Sequence, residues 1–392
     1  MAHVVTGLER LLEAFPHHLR GRRLGLVAHP ASVTSSLRHA VDALRDAGAD
    51  LRALFGPEHG LGGEAQDMEG VHDGDTTERA GQTPTWSLYG ADFDSLSPRP
   101  SWLDGLDAVV IDLQDVGSRY YTFVWTALLM LRACAAKGIE VIVCDRPNPL
   151  GGLVTEGAPQ LTRERSFVGM RSVPVRHGLT LGELVRDAAR EEGLDNLRVI
   201  AMKGWRREML WEDTGLPWVL PSPNMPTPDT AAVYPGGCLL EGTNLSEGRG
   251  TTRPFEVLGA PWVEGLALAA SVTKQAGDGC TARVMTFRPM FQKHAGVTCR
   301  GVQVHVHDRA RFSPYRAYVA LLHAARRMEG FRWRTERYEF VDDRPAIDLL
   351  TGDAAVREAL DAGADFGDVM AVGQARLDAW RASAPDRWIY EG

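Results

Sequence analysis

The 392-residue chain has 43 Lys and Arg against 51 Asp and Glu, a net charge of −8, and its basic residues are scattered and form no stripe. This pattern excludes the electrostatic footprint of a protein that binds a phosphate backbone, so no nucleic acid is expected as a partner. No apolar run reaches the roughly 18 residues of a membrane span, and the N-terminus lacks the pattern of a signal peptide. Five cysteines without a C-x-x-C pair predict reduced thiols in a cytoplasmic protein.

Short apolar strands alternate with amphipathic helices along the first 200 residues. Strands are predicted at residues 24–28, 51–55, 107–115, 139–145 and 197–204. Helices are predicted at residues 7–21, 35–50, 121–137 and 181–193, from apolar spacings of three and four and from glycine stop signals. This alternation predicts an α/β fold with a mostly parallel sheet, covered by helices on both faces and joined by right-handed crossovers.

The second half of the chain lacks this regular alternation of predicted strands and helices. Residues 220–262 read as one long irregular region, and functional loops are the usual reason for such a length. From about residue 283, strand-like and helical patterns resume, including a strand-like stretch at 337–343 and helices around 354–363 and 372–382. The chain exceeds the usual size of a single core. We therefore expect a first domain over residues 1–275 and a smaller C-terminal α+β domain over residues 280–392.

Polar loops follow four of the predicted strands. They span residues 28–32, 56–64, 114–122 and 145–152. In an open parallel sheet the ligand crevice lies beyond the carboxyl ends of the strands, so these loops are expected to meet at one rim. The convergence of four loops is a stronger indication of a site than any single motif.

Glu58 stands out in the loop "GPEHG", between Pro57 and His59. It fits two roles: a carboxylate that caps a backbone N–H of the turn, or a general acid whose pKa is raised toward neutrality at a partly desolvated strand end. His59 would then orient the carboxyl group or balance its charge. The residues alone leave both roles open.

The same loop contains the relaxed dinucleotide fingerprint G-x-G-x-x-A at Gly60, Gly62 and Ala65. We interpret this match as a decoy, because it follows the second strand and not the first. Four acidic side chains also crowd the position that two phosphates would occupy: Glu58, Glu64, Asp67 and Glu69. The sequence therefore predicts no nucleotide cofactor.

Other charged residues near the strand ends are candidates with structural alternatives. Asp112 is expected to make a structural hydrogen bond, whereas Asp115 is better placed for the rim. Asp145 and Arg146 could pair with each other or with their neighbours.

An acid and a guanidinium also lie between glycines in the long irregular region. Glu247 and Arg249 there suggest contact with a ligand, and a surface salt bridge is the alternative. His305 and His307 share a strand face, but no third ligand accompanies them, so no metal site is predicted.

The motifs of the chain, taken in order, resemble one known family. They are "LFGPEHG", "SLYG", "DLQDVGSRYYTF", "DRPNPLGG", "HGLTLGEL", "PSPNMPT", "YPGG" and "NLSEGRGTTRPFEVLGAPW". The set is similar to the bacterial exo-β-N-acetylmuramidase family, glycoside hydrolase family 171, formerly a domain of unknown function, over most of residues 20–265. The resemblance implies a Rossmann-like catalytic domain, a C-terminal auxiliary domain and release of terminal N-acetylmuramic acid from peptidoglycan fragments without a metal.

Carried onto this sequence, the resemblance makes Glu58 the catalytic acid. Glycoside cleavage normally uses two carboxylates, and Glu247, Asp115 and Glu156 are the candidates for the second, in that order. The lactyl carboxylate of muramic acid calls for a cation, for which Arg249, Arg119 and Arg146 are the choices. Aromatic rings can stack on sugar faces, which suggests Tyr120, Tyr121, Trp218 and Trp262. Further substrate-binding candidates within the motifs are His59, Asn148, His177, Asn224 and Ser246.

Several alternatives stay open at this point. The reaction could proceed with retention, with inversion, or with the 2-acetamido group of the substrate as the nucleophile. A non-catalytic sugar-binding or sensor protein that keeps the cleft is the competing class. We expect cytoplasmic recycling of a muropeptide or disaccharide, with no cofactor and no membrane partner.

Overall fold

A computed structural model describes residues 3–14, 16–66, 68–71 and 80–391 of the chain. A six-stranded sheet forms its larger part. The strands are β1 (Arg23–Ala28), β2 (Asp50–Gly56), β3 (Thr85–Ser87), β4 (Ala108–Asp112), β5 (Glu140–Cys144) and β6 (Leu197–Ile200). Every pairing is parallel, in the order β3-β2-β1-β4-β5-β6. This is the strand order of the Rossmann fold, so the predicted parallel sheet is confirmed.

Helices cover both faces of this sheet, as predicted. On one face lie α1 (Gly7–Ala14) and α2 (Ala40–Asp46), and on the other lie α3 (Phe123–Ala135) and α4 (Leu181–Glu192). Alternate residues of each strand point to opposite faces. In β4, accordingly, Val110 packs in the core under α1 and α2, whereas Val109 and Ile111 pack in the core under α3 and α4.

A smaller antiparallel sheet forms in the second half of the chain. Its strands are β7 (Val257–Ala260), β8 (Cys280–Phe287) and β9 (Cys299–Val306), in the order β7-β9-β8. Around it are the helices α5 (Pro228–Gly237), α6 (Gly265–Gln275), α7 (Pro314–Ala325), α8 (Ala346–Thr351), α9 (Ala354–Asp361), α10 (Phe366–Ala371) and α11 (Gln374–Ala382). The apolar core under α3 and α4 continues into α5, α6 and α7 without a break. The domain boundary between residues 275 and 280 stays a prediction, although β7, which precedes it, pairs with β9.

The structure corrects two sequence predictions and adds one strand. Residues 220–262 are not irregular throughout, because they include α5 and β7. Helix α5 begins where Thr227 accepts a hydrogen bond from the Thr230 N–H and Pro228 occupies the first turn. The strand-like stretch at 337–343 is a tight turn with a single pair of bridged residues, Tyr338 and Val341. Edge strand β3, only three residues long, was not predicted at all.

No helix of the described residues is both long and apolar enough to cross a membrane.

Candidate functional site

A cavity lies beyond the C-terminal ends of β2 and β4. Glu58 follows β2 by two residues, and the segment 120–123 leads from the β4 loop into α3. Later segments of the chain complete the wall, around residues 222–225, 234–255 and 338–339. The cavity brings together six of the predicted site residues: Glu58, His59, Tyr120, Tyr121, Asn224 and Arg249.

Glu58 lines this cavity and is only 6% exposed. The Thr122 hydroxyl, at the start of α3, donates a hydrogen bond of 2.6 Å to its Oε2. The next residue, His59, has a left-handed backbone with φ of 72°, and its Nδ1 lies 2.8 Å from the Ala65 carbonyl oxygen. The carboxylate therefore contacts a side chain of another element and, within the described residues, caps no N–H of its own turn.

Arg249 lies in a buried network of two cations and two carboxylates. Its Nη2 is 2.6 Å from Glu241 Oε1, and its Nε is 3.4 Å from Glu247 Oε1. Glu247 also accepts from Lys293 Nζ at 3.0 Å, and Glu241 accepts from the Tyr338 hydroxyl at 2.7 Å. Arg249 and Glu241 line the cavity, whereas Glu247 does not.

Sequence reasoning missed Glu241, and an available signal could have found it. The residue lies in the apolar run "CLLEG", and a carboxylate is rarely buried in such a run unless it is paired.

The C-terminal part of the chain adds a second carboxylate that sequence reasoning also missed. Glu339 is 3% exposed and lines the same cavity as Glu58. The Tyr89 hydroxyl donates to its Oε2 at 3.1 Å. A strand-like pattern over residues 337–343 gives no sign that this side chain belongs to a ligand site.

Aromatic rings form much of the cavity wall. Tyr121 packs edge-on against Phe123 at 4.8 Å and against Tyr234 at 5.7 Å between ring centroids. Burial raises the pKa of the Tyr121 hydroxyl well above its usual value, so the group is neutral at physiological pH. Trp218 and Trp262, also predicted to stack on a sugar, do not line this cavity.

Three predicted residues support neighbouring loops outside the cavity. Asp115 Oδ2 accepts a hydrogen bond of 2.6 Å from the Gly117 N–H and lies 3.5 Å from His177 Nε2. Asn148 donates to the Leu179 carbonyl at 2.9 Å. All three are buried, and the structure does not bring them into the cavity lining.

Two predicted arginines are engaged elsewhere in the interior. Arg146 forms a bidentate ion pair with Asp112, with both distances 2.7 Å, so neither residue faces the cavity. Arg119 is fully buried and donates to the Val173 and Leu350 carbonyls. Desolvation lowers its pKa to about 10.

Glu156 and Ser246 also lie outside the cavity lining. Glu156 forms an ion pair with Arg176 at 2.9 Å and accepts a hydrogen bond from the Ser313 hydroxyl. Because Ser313 directly precedes α7, this bond connects the first part of the chain to that helix. The Ser246 hydroxyl accepts from the Gly248 N–H at 3.2 Å.

Within the described ranges, no group of three or more His, Cys, Asp or Glu is placed to hold a metal ion. His305 contacts Arg283 on the neighbouring strand, and His307 contacts Thr281. Both histidines thus form part of the surface of the smaller sheet.

A carboxylate-lined cavity beyond the strand ends of a parallel sheet is the arrangement expected of an α/β enzyme. Comparison with known proteins identifies the family. Residues 24–229 match the model for the N-terminal part of exo-β-N-acetylmuramidase NamZ, and residues 232–390 match the model for its C-terminal part. The chain belongs to the NamZ exo-β-N-acetylmuramidase family.

Individual relatives agree with this assignment. The chain is 39% identical over 369 residues to the peptidoglycan β-N-acetylmuramidase NamZ of Bacillus subtilis strain 168, covering 94% of this chain and 86% of that protein. A crystal structure of a DUF1343 family protein from Bacteroides fragilis NCTC 9343 is similar with a TM-score of 0.87 and 31% identity, and each chain is fully covered. A second DUF1343 protein of that organism shares the fold, with a TM-score of 0.77 and 24% identity over 100% of this chain and 99% of the other.

Proposed function

We propose that the chain is an exo-β-N-acetylmuramidase that removes the terminal non-reducing N-acetylmuramic acid from peptidoglycan fragments, with Glu58 as its general acid. The near-full-length similarity to a peptidoglycan β-N-acetylmuramidase supports the reaction class. The observation that carries the catalytic assignment is the burial of Glu58 in a polar cavity, where its partner among the described residues is the Thr122 hydroxyl.

In the proposed reaction, Glu58 donates one proton to the glycosidic oxygen. As the bond between the anomeric carbon and the glycosidic oxygen breaks, its electron pair goes to that oxygen, which takes the Glu58 proton. A water molecule then supplies the hydroxyl group at the anomeric carbon and returns a proton to the enzyme. General acid catalysis of this kind typically contributes about 10²- to 10⁴-fold to the rate.

Arg249 is the cation of this cavity that we assign to the lactyl carboxylate of the substrate. Its planar guanidinium can bind a carboxylate with two parallel hydrogen bonds. Glu241 and Glu247 fix its position from two sides. The neutral hydroxyl of Tyr121, on the same wall, can donate to or accept from a sugar hydroxyl.

We also propose that the enzyme works in cell-wall recycling inside the cell. All five cysteines are free thiols, and a reducing compartment preserves this state. The substrate is then a disaccharide or a muropeptide. Fractionation of cells that express the native chain tests the location, and recovery of the protein outside the cytoplasm would contradict it.

The function is tested with the disaccharide of N-acetylmuramic acid and N-acetylglucosamine. Wild type is expected to release free N-acetylmuramic acid, and Glu58→Gln is expected to bind the disaccharide without releasing it. Glu64→Gln is the matched control, because Glu64 lies in the same loop but is exposed. Saturable binding by wild type without any release would instead indicate a sugar sensor and contradict the proposal.

A further inference from the structure

We infer that Glu339, which comes from the C-terminal part of the chain and lines the same cavity as Glu58, is the second catalytic carboxylate. This inference rests on the proposed function. Glycosidases normally use a second carboxylate near the anomeric carbon, where positive charge develops as the leaving group departs, and in the substrate-assisted variant that carboxylate orients the 2-acetamido group. The described residues that line the cavity include three carboxylates: Glu58, Glu241 and Glu339.

Glu241 already has a structural task. One of its oxygens lies 2.6 Å from Arg249 Nη2, and the other accepts from the Tyr338 hydroxyl at 2.7 Å. A carboxylate whose two oxygens are both occupied in this way orients the guanidinium. It is therefore poorly suited to face a developing cation.

The two candidates from sequence reasoning are excluded on similar grounds. Both oxygens of Glu247 face cations, Arg249 on one side and Lys293 on the other. Asp115 binds its own loop through the Gly117 N–H. Neither Glu247 nor Asp115 lines the cavity.

Glu339 has the position that the role requires. It lines the cavity with Glu58, is 3% exposed, and accepts a hydrogen bond from the Tyr89 hydroxyl. Tyr89 follows edge strand β3, so the larger sheet supplies the group that orients this carboxylate. The two parts of the chain thus each contribute one acid to the same cavity.

The backbone around Glu339 is a second, independent observation. Tyr338 and Val341 exchange two hydrogen bonds of 2.8 and 2.9 Å, which closes a two-residue turn. The central residues, Glu339 and Phe340, have φ of 44° and 69°. Turns of this type favour Asn-Gly, because side chains are strained at positive φ.

Packing around the turn explains how the strained backbone is held. Phe340 lies against Tyr89 at 5.7 Å and against Phe167 at 6.2 Å between ring centroids. Strain that is kept by surrounding packing is typical of functional positions. A glutamate at this position thus destabilises the turn but places a carboxylate in the cavity lining.

Substitution of Glu339 tests the inference with two substrates that differ in leaving group, the natural disaccharide and 4-nitrophenyl β-N-acetylmuraminide. Glu339→Gln is expected to lower kcat by about 10²- to 10³-fold on both, because stabilisation of charge at the anomeric carbon is needed whatever the leaving group. KM should change little. Glu329→Gln, at an exposed position of the same region, is the matched control and should match wild type.

Glu339→Asn distinguishes a catalytic role of Glu339 from a purely structural one. Asparagine tolerates positive φ, so the variant should keep or raise the Tm while losing activity. A smaller loss of kcat in Glu339→Gln on either substrate would overturn the inference. Wild type that hydrolyses neither substrate would instead contradict the proposed function, and the inference would fall with it.

Discussion

Single residues in unusual backbone conformations mark the candidate site. His59, which follows Glu58, and Glu339 both have positive φ although neither is glycine. Such conformations cost of order 1 kcal/mol or more each and persist only where the surroundings impose them. The hydrogen bond from His59 to the Ala65 carbonyl and the Tyr89 contact of Glu339 are such constraints. Glu339 itself and Glu58, the neighbour of His59, are the carboxylates that line the same cavity.

Arg249→Lys tests recognition of the lactyl group at this scale. The change keeps the positive charge but removes the planar pair of donors, so the kcat/KM for β-muraminides should fall about 10- to 100-fold. The kcat/KM for the matching β-N-acetylglucosaminide, which lacks the lactyl carboxylate, should change much less. Steady-state kinetics on the two chromogenic glycosides check this expectation.

Arg253→Lys is the control for this substitution, because Arg253 is nearby in the chain and largely exposed. An equal loss of kcat/KM on both glycosides in Arg249→Lys would show that Arg249 supports the fold of the cavity and does not recognise the lactyl group.

The sequence placed Glu58 at a strand end, where it lines the cavity, and its catalytic role stays a prediction; Arg119 and Arg146 do not line the cavity, for a physical reason. Glu58 is marked by local features, a Pro and flanking glycines at a strand end. Arg119 is held in the interior by the Leu350 carbonyl, 231 positions away in the chain. Arg146 is held by Asp112 of a neighbouring strand. Local sequence carries no information on such partners.

Among the elements, α5 shows how packing overrides local propensity. Its sequence ends in Pro-Gly-Gly, and all residues from Thr230 to Gly237 are buried. A Cβ on Gly236 would lie 2.2 Å from the Pro314 carbonyl oxygen, and one on Gly237 would lie 2.7 Å from Phe255. The glycines therefore allow close contact with α7 and with the Arg249 loop, which single-sequence propensity cannot anticipate.

The end of β1 gives a pH dependence of stability. His29 Nδ1 lies 3.1 Å from the Pro221 carbonyl, and its Nε2 accepts the Gln114 N–H at 2.9 Å. Burial lowers the pKa of His29 to about 3, so the folded protein keeps the ring neutral far below the unfolded value of about 6.5. Its contribution to stability is complete above pH 6.5 and is lost progressively as the pH falls toward 3.

Urea unfolding at pH 7 and pH 5 checks this dependence. Between these values the unfolded chain binds a proton at position 29 and the folded chain does not, so the unfolding free energy of wild type should fall more than that of His29→Gln. The single-site slope approaches about 1.4 kcal/mol per pH unit below pH 6. Equal losses in both proteins would show that His29 does not set this dependence.

At the scale of the whole molecule, the usual Rossmann ligand crevice is filled by protein. In this strand order the crevice lies between β1 and β4. Only a narrow space remains there, lined by Val33, Gln114 and Arg146 from the strand-end loops and by Trp211, Leu216, Pro217 and Val219 from a later segment. The candidate cavity lies instead toward β2, where Glu58 emerges.

We accordingly expect no binding of NAD or ATP. Isothermal titration calorimetry of the full chain with each nucleotide should give no saturable heat at millimolar concentration. Saturable binding would mean that the residues from Trp211 to Val219 move aside, and it would contradict the interpretation of the glycine-rich loop as a decoy. Glu58, Glu64 and Glu69 remain near that loop, whereas Asp67 lies outside the described residues.

The larger sheet was predictable and the smaller part was less so. Alternating strands and helices define parallel pairing almost by themselves, because each crossover is local and right-handed. By contrast, β7 pairs with β9 across about 40 residues of intervening chain. The position of Glu339 in the turn at 338–341 likewise depends on a hydrogen bond from Tyr89, which is distant in the sequence. The domain boundary stays a prediction. The two family models meet near residue 230, which favours a boundary earlier than residue 275.

The most direct test of the account compares Glu58→Gln with wild type on leaving groups of different basicity. A general acid matters most for the basic sugar hydroxylate, so kcat/KM should fall about 10²- to 10⁴-fold on the disaccharide. The loss should be far smaller for 4-nitrophenyl β-N-acetylmuraminide, since nitrophenolate departs without a proton. Equal losses on both substrates, or wild-type rates on the disaccharide, would contradict the assignment of Glu58 as the acid.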